Sequence, residues 1–207
     1  SPGLMNRLRP ESISQELIAN SSALVISAYL MRTTGEDTMT EAALKAVEYA
    51  NAANVPVVLS LGTKFLIEQD PEWWQNFVND HVDILAMNEE EGLAITGFED
   101  PLLAADKALD WVDMVICTAG AQGMFLASYI DDCWKRPTEH QLMPGSIPDF
   151  NKFEFSRAMR RKDCKNPVKI YTHTAPYMGG PDSIKNTNGA GDCALGAVLH
   201  ELSANVY

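Results

Sequence analysis

Seven residues near the C-terminus, Asn186-Thr187-Asn188-Gly189-Ala190-Gly191-Asp192, place three small residues and a carboxylate just ahead of an apolar segment. Small residues let the backbone approach a ligand closely, and glycine adopts conformations closed to other residues. Residues 189–203 read as a helix, so its first N–H groups point back at this turn. Unpaired N–H groups and the helix dipole together favour an anion. A transferring phosphoryl group carries spread negative charge, which fixed donors at Gly189, Ala190 and Gly191 would stabilise. Asp192 stands beside that anion hole, where a carboxylate can take the proton of an attacking hydroxyl. The chemistry this pattern suits is phosphoryl transfer to an alcohol, with Asp192 as base. By composition alone, an ordinary Gly-rich loop with Asp192 as a helix cap weighs equally. A Gly-x-x-x-x-Gly-Lys-Ser/Thr loop is absent, so this is not a P-loop.

Two further constellations could serve the same chemistry. Asn88-Glu89-Glu90-Glu91 follows an apolar run. Its amide and carboxylate oxygens suit Mg²⁺ held through water; the plainer reading is a helix N-terminus favoured by acids. Thr118-Ala119-Gly120-Ala121-Gln122-Gly123 is a Gly-rich link that could lie along a nucleotide or simply close a hairpin. Other candidates carry less. His81, His140, His173 and His200 are scattered, and Cys117, Cys133, Cys164 and Cys193 form no Cys-x-x-Cys pair, which argues against zinc. Trp73-Trp74 reads as packing. Lys64 ends a strand, where a phosphate contact competes with a plain surface lysine. Arg157, Arg160, Arg161 and Lys162 read as a solvated helix face.

The elements that must position these residues alternate. Residues 11–22 read as a short helix capped by Ser12 or Ser14, with Leu17 and Ile18 inward. Residues 23–29 and 55–61 are apolar runs of strand length, and 82–87 and 114–117 follow the same pattern. Helices are expected over 38–53 (with Thr40 as N-cap and Ala43, Leu44, Val47 and Ala50 inward), 71–79, 89–96 and 101–111. Residues 123–129 and 168–172 add further strands, and a helix is expected over 153–161. Strand–helix alternation predicts an α/β fold with a mostly parallel sheet and helices on both faces. Residues 131–182 break the rhythm and read as an insertion or an elaborated edge, not a separate domain.

Composition bounds the function. The chain has 207 residues, 46% of them hydrophobic, enough for a sizeable core. A net charge of −12 argues against coating nucleic acid or an anionic membrane. No run approaches the roughly 18 apolar residues of a membrane span, and no signal peptide is visible. Four widely spaced cysteines read as reduced thiols, which places the protein in the cytoplasm.

The turn at 186–192 resembles the Asp-Thr-x-Gly-Ala-Gly-Asp signature of the ribokinase-like (phosphofructokinase B-type) sugar and nucleoside kinases, with Asn186 in place of the first Asp. Asn88–Glu91 is similar to that family's Asn-x-x-Glu, and 118–123 to its Thr-x-Gly-x-x-Gly, in the expected order. The stretches 55–64, 84–90, 105–112, 155–164 and 175–192 resemble the branch acting on purine nucleosides. The resemblance implies a three-layer αβα core and transfer of phosphate from ATP to the 5′-hydroxyl of inosine or guanosine. It implies that Thr118, Gly120, Gly123, Asn88, Thr187 and Asn188 hold ATP, and that Glu91 acts on Mg²⁺ through water. A monovalent cation such as K⁺ near Asn186, and a homo-oligomer, stay open. A kinase of another nucleoside or sugar, or a truncated non-catalytic domain, are the alternatives. The family's Gly-Gly-x-x-x-Asn signature and lid have no counterpart here, so the chain reads as a central-to-C-terminal part of the core, 1–207, without its N-terminal part.

Overall fold

The computed structural model describes residues 6–32, 38–139, 145–154, 159–176, 186 and 189–204. Among the described residues six strands form one sheet in chain order: β1 (Leu24–Ser27), β2 (Val57–Ser60), β3 (Ile84–Asn88), β4 (Met114–Thr118), β5 (Met124–Asp131) and β6 (Pro167–Thr174). The first four run parallel, and β5 and β6 add on antiparallel. Continuous apolar runs make β2, β3 and β4 suited to a sheet covered on both faces.

Alternation along the strands sorts residues onto two faces. Ile26, Leu59, Leu85, Val115 and Ala127 share one core with α2 (Met39–Ala52), α3 (Lys64–Gln69), α4 (Pro71–His81), α5 (Glu89–Thr96) and α6 (Pro101–Ala108). Val47, Ile67, Val78, Ile95 and Leu102 are the helical side of that contact, all essentially buried. Burying one such side chain contributes roughly 1.5–3 kcal/mol. The other face carries Val58, Ile84, Ala86, Met114, Ile116 and Leu126, and meets α7 (Ala190–Ala204) through Leu195, Val198 and Leu199. Helices therefore stand on both sides of the sheet, as expected.

Local chemistry sets where the site-bearing helices begin. Asp70 accepts from Trp73 N at 3.0 Å ahead of Pro71, and Asp100 caps α6 ahead of Pro101. Gly97 ends α5 in the left-handed region at φ 81°.

Several expectations are corrected. The first helix is only α1 (Gln15–Ala19), capped by Ser14; Ile18 is buried, but Leu17 is 70% exposed. Leu44 is likewise 39% exposed on α2. Thr38 holds the N-cap position of α2, and the Thr40 hydroxyl donates to Leu30 O instead. Helix α3 was not expected; Leu66 and Ile67 anchor it. Residues 153, 154, 159 and 160 lie outside any helix, and 155–158 are not among the described residues. Phe153 bridges to Pro137 and Met159 to Tyr129, both antiparallel, because their backbones find partners across the chain. Arg161 and Lys162 open a 3-10 turn over Arg161–Asp163 rather than line an α-helix. Arg160 and Lys162 donate to Asn54 Oδ1 at 2.8 and 3.0 Å, and Arg161 N donates to Asp113; Arg157 lies outside the described residues. Among the described residues no helix is long and apolar enough to cross a membrane.

Candidate active site

The C-terminal ends of the parallel strands form the edge at which open α/β sheets bind ligands. There the sheet register sets Asn88 directly beside Thr118 on the neighbouring strand, with Met124 opposite Thr118 on β5. Alternation puts both on the face of Ile84, Ala86, Met114 and Ile116, the face on which α7 packs. The strand ends carrying Asn88 and Thr118 and the helix carrying Asp192 thus share one side of the sheet.

Asn88 is also the N-cap of α5. Its Oδ1 accepts from Glu91 N at 2.8 Å, while Glu91 accepts from Asn88 N at 3.0 Å and from Asn88 Nδ2 at 3.1 Å. This reciprocal pair is a capping box. Glu91 is only 5% exposed. Burial pushes its carboxyl above the usual range, and N–H donors from Asn88 and Gly62 pull it part of the way back, against the like charges of Glu89 and Glu90. Glu91 therefore holds the turn rather than facing solvent, whereas Glu89 and Glu90 are exposed.

The link 118–123 closes on itself. Ala119 N donates to Gly123 O at 2.8 Å, Gln122 N to Ala119 O at 2.8 Å and Gly123 N to Gly120 O at 3.2 Å. Gly120 and Gly123 have φ of 48° and 95°, conformations that favour glycine. A Cβ on Gly123 would sit 2.2 Å from Thr174 O, and one on Gly120 would meet Glu89 Oε1 at 3.7 Å. The Glu89 carboxylate thus reaches the Gly120 turn, which brings two of the three motifs together.

At the start of α7, Gly189 has φ 78°, and Cys193 N donates to Gly189 O at 2.9 Å. Asp192 is exposed. Among the described residues nothing lies within 4 Å of a Cβ built on Gly191. Ala190 begins the helix and is exposed, as is Asn186; Thr187 and Asn188 lie outside the described residues. No group of three or more His, Cys, Asp or Glu side chains that could hold a metal occurs among the described residues.

No family model matches the chain. Over all 207 residues it is 60% identical to the guanosine-inosine kinase of Escherichia coli strain K12, and it covers 48% of that protein. The chain thus spans about half the length of the curated relatives it matches. In three dimensions it resembles aminoimidazole riboside kinase from Salmonella enterica (TM-score 0.59, 14% identity), with 96% of this chain and 53% of that one covered. The fold is ribokinase-like. Anopheles gambiae adenosine kinase in complex with P1,P4-di(adenosine-5) tetraphosphate superposes with a TM-score of 0.55 at 19% identity, covering 93% of this chain and 48% of that one. The resemblance read from the three motifs therefore holds along the whole chain. On this ribokinase-like core, one residue beside the turn escaped the motif reading. His173, on β6, is buried and bonds Gln122 O through Nε2. Strand pairing, invisible in a single sequence, is what brings it there.

Proposed function

We propose that this chain carries the phosphoryl-transfer half of an ATP-dependent nucleoside kinase, acting on the 5′-hydroxyl of inosine or guanosine. The observation that carries the reading is the likeness to guanosine-inosine kinase along every residue of the chain. The geometry supports it, because the Asn88–Thr118 strand ends and the Asp192 helix lie on one face of the sheet.

Asp192 takes the proton of the attacking hydroxyl. The N–H groups of Gly189, Ala190 and Gly191 hold the moving phosphoryl group, and no described residue comes within 4 Å of a Cβ on Gly191. Thr118, Gly120 and Gly123 lie along ATP, with Asn88 near its phosphates; Thr187 and Asn188 complete the set in sequence. Magnesium neutralises charge on the phosphates when bound. The donors fit a hard cation that arrives with the phosphates and keeps its waters, since Mg²⁺ needs only one or two carboxylates. Glu91, whose oxygens accept N–H bonds from Asn88, would act on such an ion through water. A monovalent cation near Asn186 belongs to the same proposal.

Asp192→Asn in the full-length gene product tests this. Turnover should be lost while ATP still binds by calorimetry; an active Asn variant overturns the assignment of the base. A phosphorylation screen across nucleosides and sugars tests the substrate, and a sugar preferred over inosine and guanosine overturns it.

A further inference from the structure

His173 is an imidazole in a place where hydrocarbon would pack. It is 6% exposed, on the main core face of β6, with the rings of Phe125 and Phe150 at centroid distances of 4.9 and 6.5 Å. Its Nε2 meets Gln122 O. A carbonyl only accepts, so Nε2 carries the proton that makes this bond. Nδ1 is buried with no hydrogen-bond partner among the described residues. A buried polar atom left unpaired is costly, and a phenyl ring would avoid the cost. What a phenyl ring could not supply is the bond to Gln122.

Gln122 is the third residue of the tight turn between Thr118 and Gly123. The turn is pressed against the end of β6 so closely that a Cβ on Gly123 would meet Thr174 O at 2.2 Å, His173 Nε2 at 3.1 Å and Pro176 Cδ at 3.1 Å. Carbonyl 122 is thereby turned into the protein toward β6. From these contacts we infer that His173 is a positioning residue for the nucleotide: its Nε2–H pins the Gln122 carbonyl inward and fixes the 118–123 turn in the shape that ATP meets. The inference rests on the proposed role of this turn in holding ATP. His173 touches neither reacting atom; it acts through the turn.

Variants of the full-length gene product test it by steady-state kinetics with ATP and nucleoside varied separately. His173→Phe fills the cavity but removes the donor. It should raise the KM for ATP about tenfold, the equivalent of about 1.4 kcal/mol, with kcat and the nucleoside KM close to wild type. His173→Gln keeps an N–H donor at the reach of Nε2 and should recover most of the loss. His173→Asn, whose amide is too short for that reach, should not. The Gln–Asn contrast keeps the test open if the Phe variant fails to fold. Equal ATP affinity in the Gln and Asn variants overturns the inference. So does an unchanged ATP KM in His173→Phe when Thr118→Ala, a probe of the nucleotide contact itself, raises it. If Thr118→Ala is also silent, the turn does not hold ATP, and both the reading and the inference fall.

Discussion

Asn88 and Glu91 satisfy one another at the start of α5: the backbone and side-chain N–H groups of Asn88 both donate to the Glu91 carboxylate, and Glu91 N donates back to Asn88 Oδ1. Two residues proposed to act near phosphate and magnesium are thus also the cap of a helix. Substitution here alters fold and chemistry together, and the two must be measured apart. Asn88→Ala should cost about 1–2 kcal/mol of stability, read from denaturant unfolding.

Glu91 also makes a pH prediction. Burial raises its folded pKa above the ordinary glutamate value. Its contribution to stability is present below the unfolded carboxylate range and is lost as pH rises through the raised folded value. Melting curves between about pH 4 and 7 should show that loss in the wild-type chain, and Glu91→Gln should lack the step. Parallel profiles for the two chains refute this.

Gly123 and Gly191 should answer alanine differently. At Gly123 the Cβ meets the Thr174 carbonyl, and φ is already 95°. Gly123→Ala should destabilise by more than about 2 kcal/mol. Gly191→Ala meets nothing among the described residues and should leave unfolding unchanged within about 0.5 kcal/mol, while slowing turnover in the full-length gene product if the proposed phosphoryl site is crowded.

Thiol labelling should separate the cysteines. Burial pushes the Cys117 thiol up to about 12, and the side chain is fully enclosed. Cys133 and Cys193 are exposed. Under native conditions at about pH 8, an alkylating reagent should modify Cys133 and Cys193 and spare Cys117 until the chain is unfolded. Peptide mass spectrometry reads the outcome.

On β6, Tyr171 donates to Asp106 Oδ1, and Lys169 Nζ donates to the same oxygen at 2.9 Å, which ties the sheet edge to α6. Burial, reinforced by the hydrogen bond to Asp106, raises the Tyr171 hydroxyl well above its ordinary value. Its stabilising contribution persists below the unfolded tyrosine range and is lost as pH rises through the folded value. Tyr171→Phe should cost about 1 kcal/mol near neutrality and show a shallower loss of stability in alkali.

By itself, the sequence marked most of the elements and a candidate site. Apolar runs marked β2, β3 and β4 because strands covered on both faces need unbroken hydrocarbon. Pro71, Pro101 and Gly97 marked helix ends because their backbone restrictions act locally. Gly189–Asp192 and the turn at 118–123 were legible as a candidate site for the same reason. Tertiary structure decided what depends on partners distant in sequence. Leu17 faces out although its neighbour Ile18 is buried, since inwardness depends on what packs opposite. Phe153 and Met159 pair with Pro137 and Tyr129, because long-range backbone bonds override local helix propensity. Only the sheet register sets Asn88 beside Thr118. Only antiparallel pairing carries His173 to Gln122, because 51 residues of chain separate them and no local rule spans that distance.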